Sequence, residues 1–215
     1  EVVDMVSPHC HVHVMSGNLP FLDLSWEYHM RLGEALNSSR SLSAFDSYIN
    51  LMPPDNPAHL HRAKDMGFGK AIFNMEVWGD EDYRRVCPEK AALIPMPRYL
   101  DCLKKAVEVF GHGNVSCGFV LGAQKIGKLK EGCIVLSEMG VSCNMTTFTP
   151  KAGTPWEKKA RPGFEEVADF SIFLVELMRK HGLTPLYCRH SSRSEVLCEL
   201  MEDAKENERA RQFPE

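Results

Sequence analysis

The chain has no run of about 18 apolar residues, which excludes a membrane-spanning helix from the reading. It has no cationic excess either. Twenty-five Lys and Arg stand against 29 Asp and Glu, a net charge of −4 with the bases scattered, so no broad face suits a phosphate backbone and nucleic acid is not an expected partner. A G-x-S-x-G elbow is missing, and with it the usual mark of a serine nucleophile. The start, "EVVDMVSPHCHVHV", lacks the basic leader of an exported chain and an initiator Met, which fits a processed, trimmed or partial chain. Eight cysteines lie at 10, 87, 102, 117, 133, 143, 188 and 198, yet no two are within four residues of each other. Zinc-ribbon, thioredoxin and iron–sulfur spacings are therefore absent, and no metal ligand is assigned. The expectation is a soluble cytoplasmic protein with reduced, mostly buried thiols.

What is present is an alternation of strand-like and helix-like segments at a period of about 25 to 35 residues, which argues for parallel strands joined by right-handed crossovers. "CHVHVMS", "SLSAFDSYINL", "KAIFNMEV", "NVSCGFVLG" and "VSCNMTTF" read as strands, and "TPLYC" as a sixth. Helices are expected over "DLSWEYHMRLGEALNSS", with Asp23 or Ser25 as N-cap, and over "NPAHLHRAKDMGF", capped by Asn56. Further helices follow over "EDYRRVC", "RYLDCLKKAVEVFG", "IGKLKEGCIVLSEMG" and "GFEEVADFSIFLVELMRKHG". One domain over residues 1–198 and a charged C-terminal helix or tail over 199–215 account for the length.

Polar residues gather where strands end: Ser16-Gly17-Asn18, Asp46-Ser47, Glu76, Gly122-Ala123-Gln124 and Thr149-Pro150. Barrels of parallel strands build their sites at the carboxyl ends, so these are the candidate positions. Glu76 could accept hydrogen bonds from an amine or ribose hydroxyls while Arg98 holds a carboxylate; a structural ion pair is the alternative. Gly118 and Gly122 either admit a ligand close to the backbone or make a tight turn. His11 and His13 on one strand face suit a metal-dependent barrel hydrolase, against a packed histidine strand. "HSSRSE" near 190 reads as a helix cap or a substrate loop.

The order "HVHVMSGNLP", "AFDSYIN", "FNMEVWGDEDYRRVCPEK", "PRYLDCLKKAVEVFGHGNVSCGFVLGAQ", "GVSCNMTTFTPKAGTPW" and "HGLTPLYC" resembles the radical S-adenosylmethionine superfamily, in the branch with biotin synthase, methylornithine synthase and similar hydrogenase maturases. The resemblance covers about residues 10 to 190. It implies an α/β fold, a partial (β/α)6 barrel of TIM type, with S-adenosylmethionine across the carboxyl edge and a [4Fe-4S] cluster at the mouth. Residue by residue, it implies that Ser16, Gly17 and Asn18 hold the methionine amino group and Glu76 the ribose or methionyl part. Arg98 then lies near the carboxylate, Gly118, Val120 and Gly122 beside adenine, and Phe148, Thr149 and Pro150 at the sixth-strand end.

The family's three closely spaced cysteines do not occur in this sequence. The resemblance therefore implies that the chain starts just before the family's second strand, as a fragment or as a relative without the cluster. With its cluster segment, the parent would reductively cleave S-adenosylmethionine to a 5′-deoxyadenosyl radical and take hydrogen from a small organic substrate. Asp46, Ser47, Gln124 and Thr149 are the candidate lining residues. A cluster-free nucleoside-binding module and the hydrolase using His11 and His13 are the alternatives. An uncovered strand edge would favour self-association or a partner.

Overall fold

A computed structural model describes residues 11–186 and 196–203. Five strands form one sheet in the order β1-β2-β3-β4-β5, every neighbouring pair parallel. They are β1 (His11–Met15), β2 (Asp46–Asn50), β3 (Lys70–Ile72), β4 (Val115–Leu121) and β5 (Val141–Thr147). Sequential order with right-handed crossovers places every connecting helix on the same side, the geometry of a barrel wall rather than of a doubly wound sheet. The connections are α1 (Leu22–Ser39), α2 (Ala58–Asp65), the group α3 (Asp80–Val86), α4 (Pro88–Leu93) and α5 (Met96–Phe110), then α6 (Ile126–Glu138), with α7 (Phe164–Lys180) after β5.

The period of two along β4 shows how the sequence sorts its faces. Val115, Cys117, Phe119 and Leu121 join the large core under the helices, with Val141 and Cys143 of β5 beside them. Ser116, Gly118 and Val120 point to the other side, into the barrel. That inner side is unusually polar, and a second, small cluster of Tyr48, Ile72 and Leu186 closes part of it. Burial of the apolar face at about 25 cal/mol per Å2 supplies the driving force; the polar face is the one left over for chemistry.

Several expectations change at the element ends. The second strand begins at Asp46, because Leu42–Ala44 close a 3-10 turn capped by Ser41. Helix α1 starts at Leu22 with no side-chain cap; Asp23 instead accepts the backbone N–H groups of Asp55 and Asn56 at 2.7 and 3.0 Å. The cap position of α2 is Pro57 rather than Asn56, which stands one residue before it and accepts from Ala58 N at 3.0 Å. No strand forms over Thr184–Leu186, where the Thr184 carbonyl accepts a side-chain bond from Ser142 rather than joining a ladder. The remainder of "TPLYC", the "HSSRSE" segment and most of the expected terminal helix lie outside the described residues, and residues 196–203 are helical.

Candidate functional site at the carboxyl edge of the sheet

The strand that should carry Glu76 stops at Ile72, but its backbone continues alongside β4. Phe73 N donates to Ser116 O at 2.9 Å. Then Met75 N and Glu76 N both donate to the single carbonyl of Gly118, at 3.1 and 3.0 Å. Two residues facing one partner make a bulge, a device that re-aims a side chain. Glu76 takes φ 76°, and among the described residues it is the only non-glycine at positive φ. A glycine there would relieve about 1 kcal/mol of backbone strain. A glutamate held in that conformation marks a position whose carboxylate matters.

Helix α4 supplies its partner. Lys90 is 7% exposed, and its ammonium donates to Glu76 Oε1 at 2.8 Å and to the Asn74 carbonyl at 2.9 Å. Tyr99, fully buried on α5, donates to the same carbonyl at 2.7 Å. Burial pushes the Tyr99 hydroxyl well above the usual tyrosine range, so it stays a donor. Lys90 thus satisfies one carboxylate oxygen of Glu76, and the residue is also part of the lining of the cavity beside it.

A cavity of about 260 Å3 opens beside Glu76, lined by Asn74, Gly118, Val120, Asn144 and Thr146 among others. Gly118 is needed for it: a Cβ there would come within 2.3 Å of Asn74 Oδ1 and 2.9 Å of Asn144 Oδ1. Asn144 is steadied by its bond to Ser116 Oγ at 2.8 Å, and Asn74 reaches Asn50 at 3.4 Å. The result is one carboxylate, paired with Lys90, among neutral amides and the Thr146 hydroxyl, a set that both accepts and donates hydrogen bonds. Such a lining suits hydroxyl-rich or zwitterionic groups.

The sequence-predicted positions are only partly brought together. Glu76, Gly118 and Val120 share the cavity. Ser16, Gly17 and Asn18 lie in the loop after β1, Ser16 half-buried and the other two exposed. Arg98 does not clamp with Glu76: its guanidinium binds Asp55 and the carbonyls of Pro54 and Leu93, fixing the loop after β2 to the start of α5. Gly122, at φ 92°, serves the chain itself, since a Cβ there would meet Pro162 at 2.7 Å. Thr149 is exposed on a second, separate groove, and Pro150 lines neither.

The expected substrate-lining residues are corrected more sharply. Ser47 faces the helices, fully buried, donating to Gly67 O at 3.0 Å, because it falls one residue out of phase with the inner face. Gln124 donates to Trp78 O and Asp82 at 2.8 Å each, so its amide ties the turn after β4 to the start of α3. Asp46 opens β2 rather than closing it. It faces inward at the floor, accepting from Tyr48 Oη at 2.7 Å and Lys70 Nζ at 2.9 Å.

His11 and His13 do share the inner face, with their rings 5.7 and 5.9 Å from that of Tyr48. His11 Nδ1 lies 3.1 Å from the Asp46 carboxylate. Among the described residues no three His, Cys, Asp or Glu side chains converge as a metal would require, so neither a hydrolase metal set nor a cluster set is assembled there. The pattern reading missed Lys90, Asn74 and Asn144. The first lies fourteen positions beyond Glu76 on a separate helix, out of reach of any strand or helix period; Asn144 was legible from strand alternation on β5, and Asn74 from the same alternation carried two residues past the end of β3.

No protein-family profile matches the chain. Among curated proteins, the bacteriochlorophyllide c C-7(1)-hydroxylase of Chlorobaculum limnaeum is 26% identical over 133 residues, which is 61% of this chain and 33% of that protein. Among solved structures, methylornithine synthase (PylB) aligns over 90% of this chain and 54% of its own, at 17% identity and a TM-score of 0.61. The FeFe-hydrogenase maturase HydG of Carboxydothermus hydrogenoformans aligns over 90% and 46%, at 18% identity and 0.59. Coproporphyrinogen III oxidase (HemN) of Escherichia coli, described as a radical SAM enzyme, aligns over 80% and 40%, at 13% identity and 0.58. The chain therefore spans about a third of the length of the curated relative and about half that of these structures.

Proposed function

We propose that this chain, which has the parallel-barrel fold of the radical S-adenosylmethionine enzymes, is the cofactor- and substrate-binding part of an enzyme of that superfamily. The observation that carries the reading is Glu76, strained into positive φ and held by a buried lysine at the mouth of a barrel wall. Its carboxylate would accept from the ribose or the methionyl amine of S-adenosylmethionine. The gap over Gly118 would let the nucleoside approach the backbone, with Val120, Asn144 and Thr146 along its side. Ser16, Gly17 and Asn18 would offer the loop backbone to the methionyl end.

Bound in the whole enzyme, S-adenosylmethionine would supply the 5′-deoxyadenosyl radical that takes hydrogen from a small organic substrate. The described residues of this chain hold no ligand set for the iron–sulfur cluster, so no step is assigned to it here. What they do is bind and orient. The relatives differ in what their names say they act on, from bacteriochlorophyllide c to coproporphyrinogen III, so fold alone does not choose a substrate.

Hydrogen–deuterium exchange with and without S-adenosylmethionine tests the reading. Protection over residues 73–78 and 116–122 is expected, weakened about tenfold in apparent affinity by Glu76→Gln, which removes one charge-assisted hydrogen bond. Unchanged exchange in both segments at about 1 mM ligand, the weak end of specific affinity, would refute it.

A further inference from the structure

A second groove lies at the same edge of the sheet, between the α3–α4 junction and the loop after β5. It encloses about 470 Å3 and is lined by Arg85, Val86, Pro88, Phe148, Lys151 and Trp156, with Thr149, Thr154 and Pro155 between them. That is nearly twice the volume of the cavity at Glu76, and within the usual range of a small-molecule site. Its character is the reverse of that cavity's. Aromatic rings, prolines and valine make the walls, while the ionisable side chains on it are two cations, Lys151 and Arg85, the latter also paired with Asp82 of its own helix.

The loop that forms one wall is built, not merely draped. Phe148 and Trp156 meet edge to face at 5.6 Å. Lys159 holds that pair, its ammonium 4.3 Å from the Trp156 ring centroid and 3.4 Å from the carbonyl of Ala123. Thr154 Oγ1 donates to Lys151 O at 2.7 Å, and Glu157 accepts from Gly153 N at 2.9 Å, so the loop's single acid between residues 151 and 161 is turned onto its own backbone. Against it stand Lys151, Lys158, Lys159 and Arg161, a local cationic excess in a chain whose net charge is −4. Apolar rings with a cationic rim select by shape and sign together.

We propose that this groove is a substrate site for a planar, apolar ring compound bearing a carboxylate, with Phe148 and Trp156 against the ring and Lys151 toward the acid, Arg85 adding positive charge beside it. The assignment rests on the cofactor reading above and supplies its substrate class: hydroxyl-rich and zwitterionic groups go to the polar cavity at Glu76, the apolar acid to its neighbour. Thr149 then belongs to the substrate side rather than to the cofactor.

Fluorescence anisotropy with pyrene-1-carboxylate, and with uncharged pyrene-1-methanol as the comparison, tests this without any turnover. The carboxylate is expected to bind more tightly than the alcohol. Trp156→Ala should weaken both by about tenfold or more, as loss of a buried aromatic contact does. Lys151→Glu, on an exposed position that threatens no core packing, should weaken the carboxylate about threefold and leave the alcohol unchanged. S-adenosylhomocysteine should not displace the probe. Displacement by it, equal affinity for the two probes, or wild-type binding by both variants would overturn the assignment. If S-adenosylhomocysteine fails to bind at all while the groove behaves as stated, the cofactor reading falls and the ring-acid site stands.

Discussion

At the scale of single residues, the pair Glu76 and Lys90 is asymmetric, and the asymmetry is measurable. Lys90 has 6% of its side chain exposed and Glu76 31%. Glu76→Gln strands a buried ammonium and should cost about 2–3 kcal/mol, below the roughly 3–5 of a fully buried pair because the carboxylate is partly wet. Lys90→Met leaves a carboxylate that water can reach and a carbonyl still served by Tyr99, and should cost about 1 kcal/mol. Urea denaturation of the two variants checks the order; equal losses would contradict it. The buried thiols and phenols add a pH dependence. Burial pushes Cys102 up to about 12 and raises Tyr83 and Tyr99, so above pH about 9 the unfolded chain loses protons that the folded chain keeps. Stability is complete below that pH and should fall as pH rises, by up to about 1.4 kcal/mol per unit for each such group. Thermal melts in reductant from about pH 8 to 11 would show it, and a flat profile would contradict it.

At the scale of elements, the hydrophobic period was a good guide wherever a strand or helix was long. β4, β5, α5, α6 and α7 fall where alternation and helical spacing place them. Short elements were legible only in part, because local hydrogen bonds outcompeted the pattern. Leu42–Ala44 turned into a 3-10 turn, and the run "KAIFNMEV" broke at Ile72 into a bulge against Gly118. Neither is visible as a period. Close packing between elements also reverses a propensity rule. Gly132 sits inside α6, where alanine is better by about 1 kcal/mol. Yet a Cβ there would meet the Trp78 ring at 2.5 Å. Overpacking of that kind costs about 1–3 kcal/mol, so Gly132→Ala should lower the urea midpoint rather than raise it. A raised midpoint would mean that Trp78 yields freely.

At the scale of the whole molecule, five parallel strands in sequence order make a wall with an apolar outside and a polar inside, and the site follows from that division. The position of Glu76 was legible because strand ends of parallel barrels concentrate chemistry. Its partner was not, since Arg98 and Lys90 are equally plausible on sequence spacing and only the fold of α4 and α5 separates them. Asp46 and Ser47 were misplaced for two reasons: Asp46 opens β2 instead of closing it, and Ser47 falls on the face toward the helices. The central claim, that the mouth beside Glu76 and Gly118 accepts S-adenosylmethionine, is tested most directly by calorimetric titration of that ligand into the protein and into Gly118→Ala. Saturable binding is expected, weakened at least about tenfold by the added methyl group, with the variant's fold intact by circular dichroism. Equal affinity in the two proteins would contradict it.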